Sequence, residues 1–370
     1  MNYLKLTLAW LSTALFLLVA LSLSLLHNWF EALLFLFGAL LLFPPLGTIL
    51  RRELRWKLRR GTRLFLVASV SGAALISVTM EAPISPYTSG RERGRLMRIY
   101  DSKLKQWPVE YEERFVQTSF GSVHLIVSGP PQAPPMLLLH GTGTAGWIWQ
   151  PNIAALSEHY RTYVVDLPGE GGKSEYFDLR RRMQEGRDHA RHYHELTRAL
   201  GIEEAVLMAA SLGAVQAGNY ALHHPERVRA LVLLAPMGFT GPLCPMLRVT
   251  SAQLFPLDPI RRATFDWLYG ESPRIEDELA EWFLLAISSA RPIRVPPVPL
   301  SPAERRDVQV PVLFVFGEYD KALGDPRKAV AEVEHVPYGE TRIVESGHLP
   351  AMEMPEAINT LVLQFLARHR

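Results

Sequence analysis

The sequence predicts an α/β protein: a mainly parallel sheet with helices on both faces and a small helical cap, preceded by about three transmembrane helices. Three observations carry this expectation. From about residue 114 onward, short apolar runs alternate with helix-prone segments, the pattern of parallel strands joined by crossover helices. Between about residues 238 and 305 the alternation stops, and a proline-flanked helical stretch takes its place. Ahead of both, three uncharged apolar runs fill most of the first 80 residues.

Leu6–Leu26 is 21 residues without a charge, Ala32–Leu50 is 19, and Leu64–Met80 is 17 and richer in Ser, Gly and Ala. At about 1.5 Å per residue, the first two are each long enough to cross about 30 Å of hydrocarbon as a helix. Spans are therefore expected at about 6–26, 29–50 and 64–80. The first run is too long for a cleaved signal peptide, and a second span follows it at once. Between the second and third, Arg51–Arg63 holds seven basic residues in thirteen. By the positive-inside rule that loop is cytoplasmic, so three spans place the rest of the chain outside the cytoplasm. Membrane lipid is the partner expected for this region. Residues 81–110, with Pro83, Pro86, Gly90 and the cluster Arg91, Arg93, Arg95, Arg98, read as a linker resting on anionic lipid. A solvated charged helix fits the same residues.

The remaining domain, residues 111–370, opens with a hairpin: Arg114–Phe120, a turn at Gly121–Ser122, and Val123–Val127. Strands follow at Met136, at Tyr163–Asp166, at Ala205–Ala210, at Arg229–Ala235, at Val310–Phe316 and at Thr341–Glu345. Helices are expected near Trp147–His159, Gln184–Leu200, Leu212–His224 and at the C-terminus. In the cap region Arg261–Ser289 reads as helix, and Phe265, Trp267, Leu268, Trp282, Phe283, Leu284 and Leu285 either pack the cap itself or line an acyl pocket.

Chemistry concentrates at the strand ends. Ala209-Ala210-Ser211-Leu212-Gly213 follows an apolar strand and starts a helix, the context in which small neighbours let a sharp turn lift a serine Oγ out of the sheet. Ser211 is the candidate nucleophile. Such a hydroxyl needs a base and a carboxylate to orient that base. His348, in Ser346-Gly347-His348 after the last strand, supplies the base. Asp320, in Gly317-Glu318-Tyr319-Asp320 after the strand at Val310, supplies the carboxylate, with Glu318 and Asp325 as fallbacks. After the strand at Met136 comes His140-Gly141-Thr142-Gly143-Thr144, whose glycines leave backbone N–H groups uncovered for an oxyanion. The Thr142 and Leu212 N–H groups are the expected donors, and His140 is expected to shape the loop through a buried hydrogen bond.

These four motifs, in the order Ser, Asp, His, resemble the α/β-hydrolase superfamily over about residues 111–370. A narrower set is similar to bacterial carboxylesterases of the naproxen-esterase type: Trp107-Pro108-Val109, Thr118-Ser119-Phe120-Gly121, His124, Val127-Ser128-Gly129-Pro130, Trp149–Ile153 and Tyr160–Tyr163. That resemblance implies an esterase for carboxylic esters with a bulky apolar acyl group. The superfamily segment D-x-x-G-x-G-x-S runs one residue longer here, as Asp166–Ser174. Two other readings fit the sequence: a lipase or thioesterase acting on membrane-derived acyl chains, and a non-catalytic ligand-binding or signalling protein on the same fold.

Composition narrows the field. Net charge is only +2, which argues against nucleic acid as a partner; 14 of the 39 Lys/Arg and only 6 of the 37 Asp/Glu lie in residues 1–110, so the basic excess belongs to the membrane region. The single cysteine, Cys244, has no internal partner for a disulfide. His189, His192 and His194 share one predicted helix, but Arg187, Arg191 and Glu195 around them suggest a solvated face rather than a metal site. His223-His224 sits at a helix end, where histidine caps carbonyls. An activated serine needs neither cofactor nor metal, and none is expected.

Overall fold

The computed structural model describes residues 90–177, 182–240, 257–269, 277–289 and 298–369, with a few isolated positions besides. The three expected membrane spans lie outside the described residues. Among the described residues, no helix is long and apolar enough to cross a membrane.

The first helix, α1 (Gly90–Lys105), falls where the sequence reads as linker. Its apolar residues recur one per turn at Leu96, Tyr100 and Leu104, all buried, and arginines on the other faces mask that stripe in the sequence. A solvated charged helix is therefore only half of the description. The hairpin follows as β1 (Tyr111–Gln117) and β2 (Gly121–Ser128), antiparallel, with Val116 opposite Val123. Its turn falls at Thr118–Phe120, a little earlier than the expected Gly121–Ser122, and the Thr118 hydroxyl closes it by donating to the Gly121 carbonyl.

Then come β3 (Pro135–Leu139), a 3-10 turn Gly146–Trp149, α2 (Gln150–Ser157), β4 (Arg161–Val165), the short β5 (Glu175–Tyr176), α3 (Gly186–Ala199), β6 (Ala205–Ala210), α4 (Leu212–His223) and β7 (Val228–Leu234). The cap region contributes α5 (Asp258–Tyr269) and α6 (Asp277–Ser289), two helices where one is expected. The chain closes with α7 (Pro302–Arg306), β8 (Val312–Gly317), α8 (Pro326–Val333), β9 (Gly339–Val344), α9 (Pro350–Glu353) and α10 (Pro355–Arg368).

The strands form one sheet in the order β1-β2-β4-β3-β6-β7-β8-β9, with β5 beside β2. From β4 to β9 the pairs are parallel, and only β2 runs against its neighbours. Strands β6 and β8 are buried along their whole length, which explains their unbroken apolar text: a strand covered on both faces has no solvent side to alternate with. Period-two geometry sends Leu138, Met208 and Val232 to one core layer and Leu137, Leu207 and Leu231 to the other. The first layer also contains α1 and the cap helices, so these elements cover the same face of the sheet.

Candidate active site

Ser211 stands between the end of β6 and the first residue of α4, with φ 50 and ψ −114, a left-handed conformation that a non-glycine residue adopts only under constraint. Its N–H donates to the Leu234 carbonyl and its carbonyl accepts from Ala214, which ties the turn to both β7 and α4. Space around it is minimal. A Cβ on Gly213 would lie 2.5 Å from the Leu139 carbonyl oxygen, and one on Gly141 would lie 3.1 Å from the Ser211 Cβ. Small residues at both places let the exit of β3 approach the serine. As the first residue of α4, Leu212 presents an N–H without an intrahelical acceptor, beside Ser211 and at the positive end of the helix dipole.

The loops after β8 and β9 meet because residue 317 is glycine: a Cβ there would lie 2.0 Å from the Gly347 oxygen. That contact brings Asp320 and His348 together. Asp320 Oδ2 lies 2.8 Å from His348 Nδ1, and His348 Nε2 lies 3.0 Å from Ser211 Oγ. The other carboxylate oxygen, Oδ1, accepts from the N–H groups of Ala322 at 2.8 Å and Leu323 at 3.2 Å, which fixes the rotamer. All three side chains are nearly inaccessible, at 4%, 2% and 2% exposure for Ser211, Asp320 and His348. Burial alone depresses the His348 pKa, but the neighbouring Asp320 carboxylate outweighs it and holds the imidazole above its ordinary value.

The loop carrying Thr142 is fastened to the loop after β4 at three points. The Leu167 N–H donates to His140 Nε2 at 2.9 Å, the Gly143 N–H donates to Glu170 Oε2 at 2.9 Å, and the Gly146 N–H donates to Asp166 Oδ1 at 2.8 Å. Because His140 Nε2 accepts, the ring is neutral with its proton on Nδ1, which faces the Gly141 carbonyl at 2.9 Å. Burial pushes its pKa down, in keeping with that tautomer. The buried bond expected of His140 is thus present, with Leu167 as donor. Burial opposes the charge on Asp166, yet its bond to His124 holds its pKa at about 2. In the longer Asp166–Ser174 segment, Lys173 returns its N–H to Asp166 Oδ2 at 2.7 Å and the Ser174 hydroxyl accepts from the His124 N–H at 2.7 Å.

The alpha/beta hydrolase family model matches residues 136–361, from β3 into α10. The chain belongs to the α/β hydrolase family. Carboxylesterase YbfK of Bacillus subtilis is 32% identical over 280 residues, spanning 74% of this chain and 93% of its own. The crystal structure of carboxylesterase CesB (YbfK) aligns with a TM-score of 0.69 at 31% identity, over 75% of this chain and 98% of that one. The naproxen esterase (carboxylesterase NP) of Bacillus subtilis aligns with the same TM-score, 0.69, at 28% identity, over 76% and 100%.

In this carboxylesterase-like hydrolase, the cap comes down on the site. The Tyr269 ring lies 6.1 Å from the His348 ring and 5.6 Å from Phe283, which is 5.5 Å from Phe265. A Cβ on Gly143 would lie 2.9 Å from the Phe283 ring, so that ring presses on the Thr142 loop. Trp282 instead packs on Trp147 at 5.7 Å and Tyr100 at 6.1 Å. The cap aromatics thus divide: Tyr269 and Phe283 border the site, and Trp282 is core.

Other candidates lie apart from it. Asp325 caps α8 by accepting from the Arg327 N–H at 3.0 Å, and Glu318 is exposed. His223 Nδ1 donates to the Asn219 carbonyl, 3.0 Å away, as expected at a helix end. His189 and His192 contradict the expected solvated face: both are 0% exposed, because α3 packs that side against the hairpin turn and α4. No group of metal-ligating side chains is found among the described residues. Two carboxylates escape sequence reasoning: Glu170, and Glu353, which is buried one helical turn beyond His348 and accepts from N–H groups on either side of it.

Proposed function

We propose that the protein is a membrane-tethered serine carboxylesterase with Ser211 as nucleophile, His348 as general base and Asp320 as the carboxylate that orients it. The observation that carries this reading is the hydrogen-bonded chain Asp320–His348–Ser211, at 2.8 and 3.0 Å, ending on a serine at φ 50. Asp320 on Nδ1 selects the tautomer in which Nε2 accepts the serine proton. Ser211 Oγ attacks the ester carbonyl while Nε2 takes that proton. The oxyanion forms against the Thr142 and Leu212 N–H groups. Collapse returns the proton to the departing alcohol and leaves an acyl-enzyme, which water, deprotonated by the same imidazole, releases as the carboxylic acid. The apolar rings of Phe283 and Tyr269 beside this centre favour an apolar ester.

A panel of p-nitrophenyl esters from acetate to palmitate, on the detergent-solubilised protein, tests the assignment. Hydrolysis should fall about 10⁴-fold in Ser211→Ala, and a fluorophosphonate probe should label the parent and not the variant. Parent-like hydrolysis by Ser211→Ala removes this serine from the mechanism, and an unlabelled, inactive parent favours a binding protein. A steep preference for palmitate moves the reading to a lipase or thioesterase.

Tethering rests on the apolar runs and on the basic loop Arg51–Arg63, which put the hydrolase outside the cytoplasm when all three runs cross. Reporter fusions after Leu50, Met80 and Arg370 test it: alkaline phosphatase should be active only after Met80 and Arg370. A cytoplasmic reporter active at all three points overturns it.

A further inference from the structure

We infer that Glu170 is a positioning residue for the oxyanion loop, its carboxylate holding the Gly143 N–H and thereby fixing the adjacent Thr142 N–H. The catalytic consequence rests on the Ser211–His348 reading; the positioning itself does not.

Of the three bonds that fasten this loop to its neighbour, two are made at its ends, by His140 and by Asp166 on the Gly146 N–H. The Glu170 bond is the one at its middle, next in sequence to the proposed donor. Backbone conformation concentrates there. Gly143 has φ +68, and the glycines flanking Glu170, Gly169 and Gly171, have φ +91 and +103. A chain with left-handed glycines on both sides of one carboxylate is built to turn that side chain inward. On its other side the loop meets Phe283 of α6, so Gly143 is held between an aromatic ring and an anion acceptor.

The price of this arrangement is electrostatic. Burial lifts the Glu170 pKa to about 7, and the Gly143 bond is the one interaction that draws it back down. A carboxyl that served only as surface charge would relax into water, where no such penalty exists. Burial raises the pKa of Tyr176 and of Tyr269, and the Glu170 charge adds to the rise in each, after that of Asp320 in the case of Tyr269. Neither the His140 nor the Asp166 bond substitutes for it, because each lies three residues from Gly143.

The test uses the full chain in detergent and four variants: Glu170→Ala, Glu170→Met, Glu170→Gln and, as a control for the mechanism, Ser211→Ala. Methionine fills the volume without an acceptor, and glutamine keeps a carbonyl for the Gly143 N–H. Amide hydrogen exchange of peptides covering residues 140–146 reads positioning without reference to catalysis. Exchange there should speed up about tenfold in Ala and Met and stay near parent in Gln. With a p-nitrophenyl ester, kcat should fall about 10- to 100-fold in Ala and Met, less than the roughly 10²–10³ lost with a whole oxyanion donor. KM should move by less than about twofold, and Gln should recover most of the lost kcat. Parent-like exchange in both Ala and Met overturns the inference, as does a rise in KM alone or an equal loss in Gln and Met. If Ser211→Ala keeps the parent rate, the mechanism fails while the exchange result still judges Glu170; if Ala does not fold, Met carries the comparison.

Discussion

Glu353 grips the backbone on both sides of His348: its Oε2 accepts from the Gly347 N–H at 2.8 Å and its Oε1 from the Leu349 N–H at 3.0 Å. A carboxylate has an acceptor for each N–H, whereas an amide has one carbonyl and an NH₂ that would face the second donor. Glu353→Gln should therefore leave one buried N–H unpaired, at a cost of about 1–3 kcal/mol, and lower kcat on the order of tenfold by loosening the imidazole. Thermal unfolding and ester kinetics measure the two effects; a variant with parent Tm and kcat would show that the grip is idle.

The acid can be identified by comparing two neighbours. Asp320→Asn should reduce hydrolysis by about 10⁴-fold, because the amide selects the wrong imidazole tautomer. Asp325→Asn should leave activity near parent, since Asp325 only caps α8 through Arg327. The reverse ranking would move the role from Asp320 to Asp325.

The raised pKa of His348 sets an acid limb for catalysis. The base must be neutral to take the Ser211 proton, so kcat/KM should fall as pH drops through a value above 6.5. A profile flat from pH 8 down to pH 6 contradicts a neutral His348 as base.

Stability should respond to a different pair of histidines. Burial depresses His189 to about 4 and His192 to about 3. Their folded values lie below the unfolded one, so between about pH 6.5 and 4 the unfolded chain takes up protons that the folded chain refuses, and stability is lost as pH falls. At pH 5 that amounts to about 2 kcal/mol for each histidine. Glu170, raised to about 7, acts with opposite sign between its unfolded value and 7, but it is common to parent and variant. Both His189 ring nitrogens are buried without a partner, so His189→Leu removes a titration without breaking a bond. The Tm difference between pH 7.5 and pH 5 should shrink in this variant. An unchanged difference would mean that His189 is protonated in the folded state.

The fold and the Ser211, Asp320 and His348 constellation were legible because each residue sits where a strand pattern breaks into glycine and small residues, a signal that survives in a single sequence. The two glutamates left no such mark. Glu170 and Glu353 serve backbone N–H groups, and an N–H presents the same text whatever residue carries it. α1 was obscured by composition: one apolar residue per turn among six basic residues reads as charge before it reads as periodicity. His189 and His192 were misjudged because Arg191 and Glu195 mark solvent on the adjoining face, where Arg191 lies over the Phe120 ring and Glu195 receives the Ser119 hydroxyl and N–H.

The burial of α1 decides where this molecule can be shortened. A protein begun at residue 111, where the hydrolase text starts, would lose Leu96, Tyr100 and Leu104, at 0%, 0% and 3% exposure, and would uncover Trp147 and Trp282 to water. At about 1.5–3 kcal/mol for each large buried side chain, that is roughly 5–9 kcal/mol, comparable with the whole margin by which a domain stays folded. The same helix reaches α6 through the Lys103–Glu278 ion pair and the Tyr100–Trp282 contact, so trimming it would also loosen the cap helix whose Phe283 presses on the Thr142 loop. A shortened form that keeps this packing therefore has to retain α1 from Gly90 onward, and the segment that looks most dispensable in the text is a buttress.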